Sequence, residues 1–149
     1  MRVVMQRAKN SKVSVDGITI GAIEHGLVVF LGVENTDTLH DVDYLARKIA
    51  RIRIFPDEDG KMNRSILDVQ GQILLISQFT LFGDAHKGNR PSFVQAADPV
   101  LANQLYQSLI NALEQYNIVV ETGQFQQQMS VSLINEGPVT IIMDSNKKF

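Results

Sequence analysis

Cysteine and tryptophan are absent from this chain of 149 residues, and proline occurs only four times. Without cysteine there is no disulfide framework and no thiolate to hold zinc or attack a substrate. Neither sign of charge dominates: 14 Lys+Arg stand against 16 Asp+Glu, a formal net charge of −2. That argues against a polycation that coats nucleic acid along its length, although it leaves room for a local basic patch. Long apolar runs are missing too, and no stretch approaches the roughly 20 residues that a membrane helix needs. The opening residues, MRVVMQRAKNSK, hold no signal-peptide core. We therefore expect a cytoplasmic protein with no membrane partner.

Motifs are missing as well. No Gly-x-x-x-x-Gly-Lys-Ser/Thr loop, Gly-x-Gly-x-x-Gly turn, His-Glu-x-x-His helix or Gly-x-Ser-x-Gly elbow is present. His25, His40 and His86 are scattered. The acidic run Asp57-Glu58-Asp59-Gly60 sets its glycine at the fourth position, not at the sixth as a calcium loop requires. No metal and no cofactor is expected.

What is present is enough apolar sequence for one core. Hydrophobic residues make up 44% of the chain, and a chain near this length buries roughly 68–70% of its unfolded surface. A Val-rich strand over 3–15 meets the hairpin signal Asp16-Gly17. A second strand follows over 18–23, turning at Glu24-His25-Gly26. The run Leu27-Val28-Val29-Phe30-Leu31 reads as a strand buried on both faces. Val42, Leu45, Ala46, Ile49 and Ile52 recur at helical spacing, giving a helix over 39–52 capped by Asp37 or Thr38. Arg47, Lys48 and Arg51 lie near its end, as a solvated face or an RNA-contacting stripe. Ile73-Leu74-Leu75-Ile76 is a buried strand, and a polar loop runs from 83 to 92. Asp98 caps a second helix with Pro99 at its first position. Leu101, Leu105, Leu109 and Leu113 form its stripe, with Val100 beside it, and it ends near Tyr116-Asn117. Strands over 118–121, 129–134 and 139–143 precede a polar tail, 144–149, expected to fray. The whole, 1–149, reads as a single compact mixed α/β domain with two principal helices.

Two segments bear on chemistry. Ser77-Gln78-Phe79-Thr80-Leu81 ends a strand with hydroxyls and an amide. Such groups either cap the strand or donate to a substrate carbonyl. Asn135-Glu136-Gly137-Pro138-Val139-Thr140 sets Gly-Pro between apolar strands, where proline interrupts the ladder. It is either a turn or a cis peptide, and both leave fixed carbonyls exposed.

With these residues in view, the chain resembles the D-aminoacyl-tRNA deacylases, also called D-tyrosyl-tRNA deacylases. Ser77-Gln78-Phe79-Thr80-Leu81 is similar to the family's first motif, and Asn135-x-Gly137-Pro138-Val139-Thr140 to its second. Gln6-Arg7, Lys87-Gly88-Asn89-Arg90-Pro91-Ser92-Phe93, Leu105-Tyr106 and Val120-Glu121-Thr122-Gly123 match in family order. Gln124 and Gln126-Gln127 depart from the pattern around Phe125.

The resemblance implies a homodimer whose sheets pack at the subunit interface, with active sites there. It implies hydrolysis of the ester between a D-amino acid and the 3′ end of tRNA, and of glycine mischarged on alanine tRNA. Gly137-Pro138 would be cis and would exclude L side chains from the partner's site, with Arg7 holding the loop. Phe125 and Met129 match positions lining an adenosine pocket, and Phe79 belongs to the same substrate-binding surface.

An aminoacyl ester is already activated, so positioning plus an oxyanion donor can suffice. Thr80, Gln78 and Ser77 are assigned that role. Thr80 is also the protein's alternative nucleophile, set against help from the tRNA 2′-hydroxyl. Lys87 and Arg90 are candidates for acceptor-end phosphates, and no DNA partner is expected. A non-catalytic RNA-binding module would use the same loop with the 47–53 stripe, and turnover separates the two.

Overall fold

Alternating apolar residues joined by a two-residue turn make the first two elements a hairpin. In this computed structural model, which describes residues 1–148, β1 (Arg2–Val15) and β2 (Ile18–Gly32) pair antiparallel along nearly their whole length. Phe149, the end of the expected tail, lies outside the described residues. Asp16 and Gly17 turn the chain at φ of 50° and 78°, the twist-matched geometry of two-residue hairpins.

β2 corrects one expectation. No turn occurs at Glu24-His25-Gly26; one strand runs straight through. Gly26 takes a φ of +150°, and a Cβ there would collide with the backbone of Gln72. The glycine serves a close approach between strands, not a reversal. His25 rests edge-on against Phe55 at 5.4 Å between ring centroids.

α1 (Leu39–Arg51) begins at the Thr38 cap, with Asp41 completing a capping box. Asp37, the other candidate cap, is instead buried. Its carboxylate accepts from the Met1 ammonium and from the Glu34 N–H, and burial raises its pKa above the ordinary carboxylate value. β3 (Phe55–Pro56) and β4 (Met62–Arg64) form a small ribbon. α2 (Pro99–Glu114) starts as expected: Asp98 Oδ1 accepts from Val100 N at 2.9 Å and Leu101 N at 3.2 Å. Leu105, Leu109 and Leu113 are buried, joined by Tyr106. Val100 is 78% exposed, because one residue off an i+4 stripe turns about 100° away from it.

The remaining strands are β5 (Gln72–Ser77), β6 (Val120–Thr122) and β7 (Ser130–Asp144). The main sheet runs β6-β5-β2-β1-β7. β1 is antiparallel to β2 and β7, whereas β5 is parallel to β2 and β6. The two parallel connections carry α1 and α2, as long crossovers require. β7 is one strand where two were expected. The tail is also tied down. Ser145 Oγ accepts from the Met1 ammonium at 2.7 Å, and Lys148 Nζ reaches both Glu34 carboxylate oxygens at 2.8 Å. Its polar groups find the buried Met1 ammonium and the largely buried Glu34 carboxylate, which outweighs fraying.

Both helices cover one face of the sheet. There Met5, Leu27, Val29 and Leu75 join a cluster with Leu45, Ile49, Leu105 and Leu109. The opposite face carries a smaller cluster of Ala8, Val13, Ile23, Val28, Leu74 and Ile76, flanked by partly buried Phe30, Met129, Val131 and Leu133.

Candidate active site

The apolar run of β5 delivers Ser77 to the end of the sheet, where it pairs with Leu31 of β2. The strand stops there. The next residues wind into a 3-10 turn, Phe79–Phe82, so the motif is split between a strand end and a turn. Gln78 N donates to Leu31 O at 2.7 Å, Leu81 N to Gln78 O at 3.2 Å, and Gly83 N to Thr80 O at 2.9 Å. The Gln78 side-chain amide donates to the hydroxyl of Thr80. Thr80 is exposed. Phe79 is 58% exposed and meets Phe93 edge-to-face at 5.1 Å.

Beside this turn lies a cavity of about 640 Å³. Ser77, Gln78 and Phe79 line one side, and Phe125, Gln126, Gln127 and Met129 another. Ala102 and Tyr106 of α2 also line it. Tyr106 and Phe125 lie tilted at 6.1 Å. The Tyr106 hydroxyl donates to Leu75 O at 2.9 Å, and burial pushes its pKa up to about 12. It therefore stays a neutral phenol that braces the wall. Met129 packs where Gly123 has no side chain; a Cβ there would collide with its sulfur.

Among the described residues no Asp, Glu, Lys, Arg or His lines the cavity. The space suits a flat uncharged ring held by aromatic and thioether contacts. It supplies neither a general base nor a general acid of ordinary pKa. Among the described residues no group of three His, Cys, Asp or Glu side chains could hold a metal ion.

The 83–92 loop stands outside the cavity. Asp84 and Ser92 close it with a pair of backbone hydrogen bonds at 2.8 Å. Lys87 and Arg90 are exposed on it and make no ion pair among the described residues. His86 is 93% exposed and its Nδ1 lies 2.6 Å from Asp84 Oδ1. Hydrogen bonds from the His86 backbone and ring lower the pKa of Asp84.

Gly137 and Pro138 do not line the cavity of their own chain. Their peptide bond is cis. β1 pairs Gln6 with Thr140 and Ala8 with Asn135, so residues 136–139 bulge out opposite Arg7 alone. Gly137 has a φ of +135°, and a Cβ there would lie 2.8 Å from a Val139 methyl and 3.0 Å from Arg7 Nη2. Arg7 donates from Nε to Glu136 O at 2.9 Å and from Nη1 to Ile54 O at 2.7 Å. Asn135 Oδ1 accepts from Val139 N at 2.7 Å. Both Gly137 and Pro138 are exposed. Three strand spacings across the sheet, combined with the run along β5, separate the bulge from the 3-10 turn by roughly 20 Å.

The small residues of the cavity lining, Ala96, Ala97 and Ala102, have no part in the functional reading of the sequence, and Phe93 enters it only as the end of the matched segment 87–93. A cluster of alanines around a helix start is the one local signal that could have marked them. No helix among the described residues is long and apolar enough to cross a membrane.

Residues 4–144 match the family model described as D-Tyr-tRNA(Tyr) deacylase. The D-aminoacyl-tRNA deacylase of Thermosipho africanus is 54% identical over all of both chains. That of a Geobacillus species is 55% identical over 99% of this chain and 97% of the relative. A solved structure described as the c-Myc DNA Unwinding Element Binding Protein superposes with a TM-score of 0.91. It is 37% identical and covers 97% of this chain and 98% of its own.

Proposed function

The chain belongs to the D-Tyr-tRNA(Tyr) deacylase family and is a hydrolase that deacylates D-aminoacyl-tRNA, and on that premise we propose how the site works. The observation that carries the proposal is a cavity with no charged side chain beside a turn of exposed polar groups. The terminal adenosine enters between Phe125 and Met129, its base against their apolar atoms. The ester carbonyl then lies over the 3-10 turn. There Ser77, Gln78 and Thr80 orient it, and the leading amides of the turn, which a helix start leaves without intrahelical partners, receive the developing oxyanion. Water adds to the carbonyl carbon, the C–O bond to the ribose breaks, and the ribose oxygen leaves with the proton that water gives up. The neighbouring 2′-hydroxyl relays that proton, since the cavity holds no base. Thr80 positions and forms no acyl intermediate. Lys87 and Arg90 meet acceptor-end phosphates.

Chirality is read by the bulge of a second copy. Gly137 and Pro138 cannot reach the cavity of their own chain, and they are exposed and held by Arg7. In a homodimer whose sheets pack through the thinly covered face, the bulge enters the neighbouring site. Its carbonyls meet the Cβ of an L-amino acid, while a D side chain points away. This is exclusion, so no pocket for one side chain is needed. Glycine has no Cβ to exclude, which makes glycine on alanine tRNA a second substrate. We assign the protein to the cytoplasm, where aminoacyl-tRNA is found, with 1–149 acting as one domain.

The test is deacylation of matched D- and L-aminoacyl-tRNA, with glycyl-tRNA alongside. Release of free D-amino acid and glycine but not L-amino acid is expected. Preference for the L form would sink the proposal, and protection of the ester without turnover would favour the binding module.

A further inference from the structure

We propose that Arg2 is a positioning residue for the reaction: its guanidinium clamps the far end of the 3-10 turn that carries Thr80 onto the edge of the sheet. The inference rests on the reading of that turn as the reaction centre.

Arg2 opens β1, opposite Gly32 on one side and Asp144 on the other. Its Nη1 donates to Leu81 O at 2.7 Å. Its Nε donates to Asp144 Oδ2 at 3.2 Å, and Nη2 lies 3.1 Å from the same oxygen. The guanidinium carbon sits 4.7 Å from the centroid of the Phe82 ring. One planar fork thus grips a carbonyl, a carboxylate and an aromatic face together, which the point charge of a lysine cannot do. The Asp144 side chain is 1% exposed, so the anchor is fixed.

Gly32 completes the seat. A Cβ there would lie 3.0 Å from the Phe82 ring and 3.1 Å from Leu81 Cβ, so a side chain at this position would push the turn outward by a few tenths of an ångström. The leading end is held by Gln78 N on Leu31 O at 2.7 Å. Thr80 lies between the two anchors, and its carbonyl accepts from Gly83 N. Releasing the far anchor lets the turn rotate about the near one and moves Thr80 relative to the cavity. Neither Arg2 nor Asp144 lines that cavity, so Arg2 acts through the turn and not on the substrate.

The experiment is single-turnover deacylation of saturating D-aminoacyl-tRNA by Arg2→Ala, Arg2→Lys and Gly32→Ala, with KM, thermal melting and a pH profile. For Arg2→Ala the rate constant should fall roughly 10- to 100-fold, the cost of misplacing a reacting group by about an ångström. KM should stay within about twofold, and the pH profile should keep its shape because arginine remains charged. Arg2→Lys should recover part of the loss, and Gly32→Ala should repeat the rate defect with the arginine intact. A lowered melting temperature with a wild-type rate constant would reduce Arg2 to a stability element and overturn the clamp. A rise in KM alone would overturn it too. If Arg2→Ala does not fold, wild-type rates in both other variants decide against the proposal. Wild-type enzyme run in parallel separates the two levels: activity with indifferent variants overturns the clamp alone, whereas an inactive wild type overturns the functional reading as well.

Discussion

The 3-10 turn and the Gly137-Pro138 bulge are built from similar means and placed to opposite ends. Each interrupts a regular strand pattern, and each is held by an arginine that grips a backbone carbonyl: Arg2 on Leu81, Arg7 on Glu136. The turn borders a cavity in its own chain. The bulge stands exposed on the edge strand, away from that cavity. A rigid, well-supported segment that touches nothing in its own site has its use elsewhere. The contrast supports the proposal above, in which the turn of one chain and the bulge of a second copy serve one site.

The sharpest way to break that comparison is complementation. Gly137→Val forces a side chain against the Val139 methyl and the Arg7 guanidinium, so the displaced bulge should obstruct the neighbouring site and abolish its activity. A chain carrying Gln78→Ala and Thr80→Ala keeps the bulge and loses the turn's polar groups. Mixed under subunit exchange, the two should form heterodimers with one intact and one doubly damaged site. Random pairing of equal amounts then returns about a quarter of wild-type activity. No recovery despite demonstrated exchange would mean that the bulge acts within its own chain.

Next in size is Thr80→Ala alone. A positioning hydroxyl that accepts from Gln78 should cost about 1–3 kcal/mol, or roughly 5- to 150-fold in rate, when removed. Single-turnover kinetics with quenched-flow sampling measures it. An acyl-enzyme trapped on wild-type Thr80, or complete loss of activity in a folded variant, would instead make it the nucleophile.

Much of this arrangement was legible in the residues, and what was not has physical causes. The helices were readable because caps and apolar stripes are local: Thr38, Asp98 and the 105, 109, 113 row each act within a few residues. The two motifs were readable as motifs because Gly-Pro and a polar strand end are locally unusual. Their separation across the sheet was not, since it depends on strand order, a long-range property. The same limit explains Gly26, whose local setting suggests a turn while its real partner is Gln72 on a strand far along the chain. The tail reads as frayed in sequence because its partners Glu34 and Met1 are distant along the chain. Arg2 carries no local signal at all.

A smaller effect should separate the loop from both regions. Lys87 and Arg90 are exposed beyond the cavity lining, so Lys87→Ala with Arg90→Ala should raise KM and leave the saturated single-turnover rate unchanged. Two lost phosphate contacts should flatten the slope of log affinity against log salt by about 1.4–1.8. Titrating KM between low and moderate salt checks this, and an unchanged slope would leave both as ordinary loop charges.

The smallest expected effect is at His86, the one histidine near the turn in sequence. A base for the reaction must come within hydrogen-bond reach of the attacking water. His86 instead stands 93% exposed with its Nδ1 on Asp84, and it does not line the cavity. The hydrogen bonds it makes lower the pKa of Asp84, so that carboxylate stays ionised through neutral pH and holds the ring out on the loop. His86→Ala should therefore change kcat/KM by less than about twofold, within the range of a solvent-exposed substitution. The decisive measurement is the pH profile of kcat/KM from 5 to 9 for wild type and variant. If His86 were the base, kcat/KM of the wild type would fall away at low pH along a limb that the variant lacks. Superimposable curves would leave proton transfer to the substrate and confine the protein's part to holding the ester.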